Sequence, residues 1–328
     1  MFDHLPERVQ ITEVGPRDGL QNEPEFVPTE IKAEFIRRLA AAGLKRIEIT
    51  SFVNPKWIPP LRDCAEVGRQ FSRMEGVETT ALVPNLKGLE GADEAGMREI
   101  VLFLSATESH NKANINKDIA ETLRQFAELI PEAKRRGMRV TAGISTAFGC
   151  PYEGDVDPER VIAIARELLD SGVDRLFLGD TIGVANPLQV KRLLERLYAL
   201  VDPDLVSLHF HDTQGTAVAN AVAALEMGIT RFDGSVGGLG GCPYAPGASG
   251  NVPTENLVYT FREMGVDTGI DLDMLLEVGA YIQEQLGHPL PSSGLRAYLG
   301  RKVKAAQKAA EKVAATALAT AVPWVSWK

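Results

Sequence analysis

The chain predicts an α/β fold, a (β/α)8 TIM barrel with extra C-terminal helices. Three observations carry that expectation. Eight short runs rich in β-branched and apolar residues recur at fairly even intervals along the 328 residues. Between them lie stretches whose apolar residues repeat at helical spacing. Helix–glycine–strand junctions recur at Gly43, Gly137, Gly172 and Gly228, where a helix closes and the chain turns into the next run. An open, doubly wound sheet is the alternative, and it usually has fewer such units.

The expected strands are residues 9–14, 46–52, 78–83, 99–105, 139–146, 174–178, 205–211 and 231–236. The helical layer begins with 29–42, where Ile31, Phe35, Ile36 and Leu39 share a face and Gly43 ends the helix. Segments 122–136, 158–171, 187–201 and 216–227 follow the same pattern. A Gly- and Pro-rich loop, 237–253, follows the eighth strand and is expected to act as a lid. Two helices come next, near 254–264 and 272–286. Beyond Pro289 the chain breaks at Pro-Ser-Ser-Gly and becomes Ala- and Lys-rich, with strong helix propensity but a modest apolar stripe. The reading is therefore a catalytic domain over 1–288, lid included, and a helical extension over 289–328. That extension is read either as a subunit contact or as a loosely ordered tail, and a homodimer or larger homo-oligomer is expected.

Composition removes several classes of function. A formal net charge of −9 with no basic block argues against a nucleic-acid binder. No apolar stretch approaches the roughly 20 residues that span a bilayer, and the first residues carry charges and Pro6 rather than a leader's apolar core. Three cysteines, Cys64, Cys150 and Cys242, fit free thiols in a reducing compartment. The expected location is cytoplasmic.

In such a barrel the reactive groups sit at the C-terminal ends of strands. Here the first strand runs into Gly15-Pro16-Arg17-Asp18, and the Gly-Pro pair stops the ladder so that Arg17 and Asp18 reach the mouth. Glu48 lies on the second strand, Asp180 ends the sixth, His209 and His211 end the seventh, and Cys242 and Asn251 lie in the loop after the eighth. Residues two apart on a strand share a face, so His209 and His211 form half of a metal site. With Asp18 and the Asn251 side-chain carbonyl they make an oxygen and nitrogen set without thiolate, suited to Mg²⁺, Mn²⁺ or Co²⁺ rather than to structural Zn²⁺. Hydrogen-bonded core histidines are the competing reading. Arg17 serves either as a salt-bridge partner of Asp18 or Glu48 or as a stabiliser of a developing enolate oxygen. Asp180 serves chemistry or caps the helix after the sixth strand. Cys242 sits in Gly237-Gly238-Leu239-Gly240-Gly241-Cys242-Pro243-Tyr244, too glycine-rich to pack as core, and reads as an acid on a lid. Cys64 reads as structural.

Those segments together, from Val14-Gly15-Pro16-Arg17-Asp18-Gly19-Leu20-Gln21-Asn22 through Gly179–Gly183 and His209–Thr213 to Gly-Leu-Gly-Gly-Cys-Pro-Tyr and Asn251, resemble the hydroxymethylglutaryl-CoA lyase family over about residues 11–286. The resemblance implies cleavage of 3-hydroxy-3-methylglutaryl-CoA to acetyl-CoA and acetoacetate, as in leucine degradation, with one Mg²⁺ or Mn²⁺ and an acyl-CoA substrate. It also implies that Asp18, His209, His211 and Asn251 hold the metal and that Arg17 stabilises the enolate. Cys242 would move a proton, and Glu48 and Asp180 would be needed for activity. The segment 109–114 and Phe177 depart from the family pattern, Phe177 standing where a small hydroxyl residue is expected. They leave room for another 3-hydroxy-3-substituted glutaryl-CoA or for citramalyl-CoA as substrate. A Claisen-condensing synthase is a further alternative, but it usually carries a regulatory C-terminal domain, and only about 40 residues follow Leu286.

Overall fold

The computed structural model describes residues 5–241 and 250–320, with side chains described as far as residue 313. Eight parallel strands close into a barrel in sequence order, β1 (Gln10–Glu13), β2 (Arg46–Ser51), β3 (Glu78–Leu82), β4 (Glu99–Ser105), β5 (Arg139–Ser145), β6 (Arg175–Asp180), β7 (Val206–Phe210) and β8 (Arg231–Gly234). β8 pairs back onto β1 from Gln10↔Arg231 to Glu13↔Gly234. The expected eight strands are all present. Several end sooner than expected, because β1 and β8 give way to turns that carry functional residues.

Around the barrel lie α1 (Thr29–Ala41), α2 (Cys64–Phe71), α3 (Leu86–Glu94), α4 (Glu108–Ile115), α5 (Ile119–Arg135), α6 (Pro158–Asp170), α7 (Pro187–Leu197) and α8 (Ala217–Glu226). Four of them start on side-chain caps: Asn85 accepts from Gly88 N, Asp118 from Glu121 N, Asp157 from Glu159 N, and Asn186 from Leu188 N and Gln189 N. The four junction glycines, 43, 137, 172 and 228, all take positive φ, from 74° to 105°, as a left-handed helix stop requires. The core is the shell between strands and helices. Ile47 and Ile49 on β2, Leu102 and Leu104 on β4, and Leu176 and Leu178 on β6 point outward into it, fully or almost fully buried. Alternate residues on the same strands face the barrel axis.

α9 (Thr254–Glu263) and α10 (Leu272–Leu286) follow, capped at α10 by Asp271 on Met274 N. α11 (Ser293–Thr320) begins as part of the core, since Leu295 is fully buried against Gly279 of α10. Tyr298 and Lys302 both reach Glu277. Among the described residues no helix is long and apolar enough to cross a membrane.

One buried carboxylate fixes the geometry beneath the mouth. Glu13 Oε1 accepts from Gly15 N and Val236 N, both at 2.9 Å, and Oε2 accepts from Thr254 Oγ1 at 2.7 Å. It joins the turn after β1, the loop after β8 and the start of α9. Burial pushes its pKa up to about 8 against those hydrogen bonds.

Candidate active site and metal centre

Arg17 and Asp18 are set by an unusual backbone. After Glu13 the chain forms a π-helical turn, Gly15–Gly19, in which the N–H groups of Asp18 and Gly19 both donate to Val14 O at 2.7 and 3.3 Å. Such wide turns are rare and concentrate at functional sites. The turn aims two consecutive side chains over the barrel. Arg17 Nη1 donates to Asp18 Oδ1 at 2.7 Å, and Nη2 lies 2.8 Å from Glu48 Oε2. Glu48 is aimed by β2, whose register shifts between Glu48 and Thr50, a bulge beside the site. Both sequence-level partners of Arg17 are thus engaged at once. Two groups in this buried triad still lack a partner in the protein, Arg17 Nε and Glu48 Oε1. They are one donor and one acceptor.

Asp18, His209 and His211 each bring one ligand atom into a cluster whose members all lie within 4.8 Å of one another. The imidazole centroids of His209 and His211 are 5.3 Å apart. His211 sits one residue past β7, where it pairs with Asn251 in an isolated antiparallel bridge. That bridge delivers the amide: Asn251 Nδ2 donates to Asp18 Oδ2 at 2.8 Å and to Leu239 O at 3.0 Å. Asn251 Oδ1 and His211 Nδ1 are buried with no partner in the protein. Buried acceptors are rarely left so, and a carboxylate, two imidazoles and an orphaned carbonyl oxygen are the donor set a hard or borderline divalent cation takes. The residues fit the ion.

Electrostatics prepare the same ligands. Burial pushes the Asp18 carboxyl up, but the Arg17 guanidinium and the two histidines outweigh it and hold its pKa at about 2, so it is ionised. Burial, with His209 adding to it, lowers His211 to about 4, leaving a neutral imidazole with a free lone pair. For His209 burial works downward but is overcome by Asp233, whose Oδ2 lies 3.2 Å from Nδ1, and by the charge of Asp18. Burial pushes Glu48 up, with Arg17 opposing.

Asp233 is the functional residue that the sequence reading missed. Its signal was present: in the eighth run Arg231 and Asp233 alternate with Phe232 and Gly234, so the polar pair faces the axis. The cross-strand register His209↔Asp233 does the rest. A carboxylate on Nδ1 fixes the tautomer and leaves Nε2 as the nitrogen free for a ligand. Asp233→Asn is therefore expected to weaken Mn²⁺ binding by about 10- to 100-fold, read by calorimetric titration, with the fold unchanged.

Of the two readings offered for Asp180, the helix cap falls. Asp180 does not cap α7, whose cap is Asn186. Its Oδ1 accepts from Val184 N at 3.0 Å and its Oδ2 from Ala185 N at 3.1 Å, which holds the β6–α7 loop against the mouth. Burial raises its pKa to about 6. Cys64 is a half-buried free thiol at the start of α2, away from the mouth. Cys242 lies outside the described residues. Its neighbour Gly241 lines the same cavity of about 160 Å³ as Arg17, Glu48 and the two histidines.

A closed (β/α)8 barrel with a carboxylate–imidazole cation site at its C-terminal mouth defines a metal-dependent barrel enzyme. The comparisons give the family. The model of the HMGL-like family matches residues 8–282, and the chain belongs to that family. The chain is 52% identical over 293 residues to hydroxymethylglutaryl-CoA lyase YngG of Bacillus subtilis, covering 89% of this chain and 98% of that protein. It is 44% identical to the human mitochondrial hydroxymethylglutaryl-CoA lyase over 88% of this chain and 89% of that one. The crystal structure of an HMG-CoA lyase from Bacillus subtilis superposes with a TM-score of 0.87 at 51% identity, covering 90% of this chain and 99% of that chain. An HMG-CoA lyase from Acinetobacter baumannii, solved with coenzyme A and 3-methylmalate, gives 0.85 at 42% identity, covering 89% and 95%.

Proposed function

We propose that this enzyme cleaves 3-hydroxy-3-methylglutaryl-CoA to acetyl-CoA and acetoacetate, with Asp18, His209, His211 and Asn251 holding one Mg²⁺ or Mn²⁺. The observation that carries the reading is the orphaned Asn251 Oδ1 beside the Asp18–His209–His211 cluster, with Arg17 across it. A divalent ion bound there supplies Lewis acidity that lowers the pKa of the substrate's tertiary hydroxyl.

The remaining chemistry belongs to the side chains. Of Asp18 and His209, Asp18 is the one left to take the hydroxyl proton, because it is ionised while His209 has Nδ1 held by Asp233 and Nε2 assigned to the metal. As the C2–C3 bond breaks, its electron pair moves onto the thioester as an enolate, and the C3 oxygen becomes the ketone of acetoacetate. Arg17 meets the enolate oxygen with its unpartnered Nε–H while Glu48 and Asp18 fix the plane of its guanidinium. Asp180 keeps the β6–α7 loop in place. Cys242, next in sequence to a cavity-lining glycine, delivers the proton that turns the enolate into acetyl-CoA. Two further expectations accompany this reading: a reducing, cytoplasmic setting, in keeping with the free thiols Cys64 and Cys150, and a homo-oligomer.

The deciding assay is a panel of 3-hydroxy-3-alkylglutaryl-CoA esters and citramalyl-CoA, each tested with Mn²⁺ for release of acetyl-CoA. Cleavage of the methyl ester fastest of all is the expected result. A faster citramalyl-CoA reaction transfers the activity to that ester, and condensation of acetyl-CoA with a 2-oxo acid faster than any cleavage replaces the lyase by a synthase. Cys242→Ser is expected to lower kcat about 10²- to 10⁴-fold, the range general acids supply, with KM changed far less. Full activity after alkylation of the thiol excludes it as the proton donor.

A further inference from the structure

Phe177 has no role in the site as drawn, yet it stands directly beneath it. Along the barrel interior the register runs Phe103↔Gly143↔Phe177↔Ser207, one inward step below the row that carries Gly179 and His209. Phe103, Phe177 and Ser207 line the cavity, and Gly143 does not. The reason is steric. The Phe177 ring lies over the Gly143 backbone: a Cβ placed at residue 143 would stand 1.9 Å from its Cζ, 2.1 Å from Cε1 and 2.4 Å from Cε2. The ring centroid is 6.2 Å from that of His209. Phe177 and Phe103 are only half-buried, although both sit inside the barrel. The interior of such a barrel is ordinarily filled with packed side chains. The two half-buried aromatic rings narrow the cavity and floor its upper part beneath the polar cluster, while Val101 and Thr141 continue its lining below.

We propose that Phe177, seated in the space left by Gly143, sets the depth of the acyl pocket and thereby the size of the alkyl group accepted at the substrate's carbinol carbon. The inference rests on the lyase reading above and adds a specificity determinant to it. The ring offers the substituent an apolar face at fixed height, while the hydroxyl and carboxylate of the substrate are drawn up toward Asp18, His209 and His211. A methyl group fits between them and a longer chain meets the ring. Gly143 is a required partner, because any side chain there drives the ring upward into the space the substrate needs.

The test measures kcat/KM for the 3-methyl and 3-ethyl glutaryl-CoA esters with Mn²⁺-loaded wild type, Phe177→Ala, Gly143→Ala and the double variant. One methylene in an apolar pocket is worth about 10- to 200-fold in discrimination. Phe177→Ala is therefore expected to raise the ethyl-to-methyl ratio by about tenfold or more. Gly143→Ala is expected to lower kcat/KM for the methyl ester about tenfold or more, and removing the ring in the same chain should restore it to within threefold of Phe177→Ala alone. A purely structural role would lower both esters equally and show no rescue. A ratio within threefold of wild type in Phe177→Ala overturns the proposal; Phe177→Leu takes its place should the alanine variant not fold. Wild type that cleaves neither ester defeats the lyase reading separately. The floor is then read from calorimetric affinities of the Mn²⁺-loaded proteins for 3-hydroxy-3-methylglutarate and its 3-ethyl homologue. The same thresholds apply, and absence of binding by wild type overturns the proposal as well.

Discussion

Arg17→Lys is expected to lower kcat by about 10²- to 10³-fold, the loss that follows removal of one preorganised donor to a developing oxyanion, while Mn²⁺ binding and thermal stability change little. The guanidinium is held on two sides, by Asp18 at 2.7 Å and Glu48 at 2.8 Å, and it retains an unpartnered Nε–H. A lysine ammonium keeps the charge but not the planar fork, so it can satisfy the carboxylates or the enolate oxygen, not all three in the same geometry. The site can bind the ground-state thioester without Arg17, so the loss falls on kcat more than on KM. Arg17→Met behaves differently. It leaves Asp18 and Glu48, both buried, facing each other without a cation, and breaking a buried pair in this way costs about 3–5 kcal/mol. Methionine is thus expected to lower the melting temperature as well as turnover. Steady-state kinetics with thermal unfolding separate the two effects, and a lysine variant within tenfold of wild type removes Arg17 from the chemistry.

His211→Ala is expected to abolish high-affinity Mn²⁺ binding and to lower turnover by on the order of 10³-fold or more, since a Lewis acid supplies several kcal/mol of transition-state stabilisation. The imidazole is held neutral by burial, with its pKa lowered to about 4, so it competes poorly for a proton and well for a cation. The Asn251 bridge depends on backbone atoms and survives the change, so the variant should fold. Chelation of the wild type should have the same effect on activity, reversed by Mg²⁺ or Mn²⁺. An ion at 100 times its Kd stabilises the native state by about 2.7 kcal/mol. Thermal unfolding with and without Mn²⁺ therefore reads the site independently of catalysis: wild type should shift and His211→Ala should not. Equal shifts in both place the ion elsewhere.

The sequence carried the barrel because its periodicities are local. Ile47 and Ile49, or Leu176 and Leu178, announce strands whose outer face is buried, and the glycines at 43, 137, 172 and 228 mark where each helix must stop. The same locality made Arg17, Asp18, His209 and His211 visible, since each pair is two residues or fewer apart and one backbone geometry aims both members. What escaped depends on alignment between distant segments. Asp233 matters because β7 and β8 set it opposite His209, and the sequence singled out Phe177 but not the glycine of β5 that seats its ring. The capping alternative for Asp180 rested on Asp-Thr being a common N-cap, but the loop after β6 turns back over it and takes both oxygens before the helix starts at Pro187. The helices Leu86–Glu94 and Glu108–Ile115 are short, the first burying only Gly88, Leu89 and Ala92 and the second only His110 and Asn111, so no sustained helical hydrophobic pattern announced them.

The central claim is that one divalent ion is held by a carboxylate, two imidazoles and an amide oxygen over the barrel opening. Anomalous diffraction from crystals grown with Mn²⁺ tests it most directly. The account predicts one strong peak bonded to Asp18, His209, His211 and Asn251 Oδ1, at distances of about 2.0–2.3 Å, with remaining positions open toward Arg17. A peak elsewhere in the barrel, or none at these four side chains under saturating Mn²⁺, contradicts it.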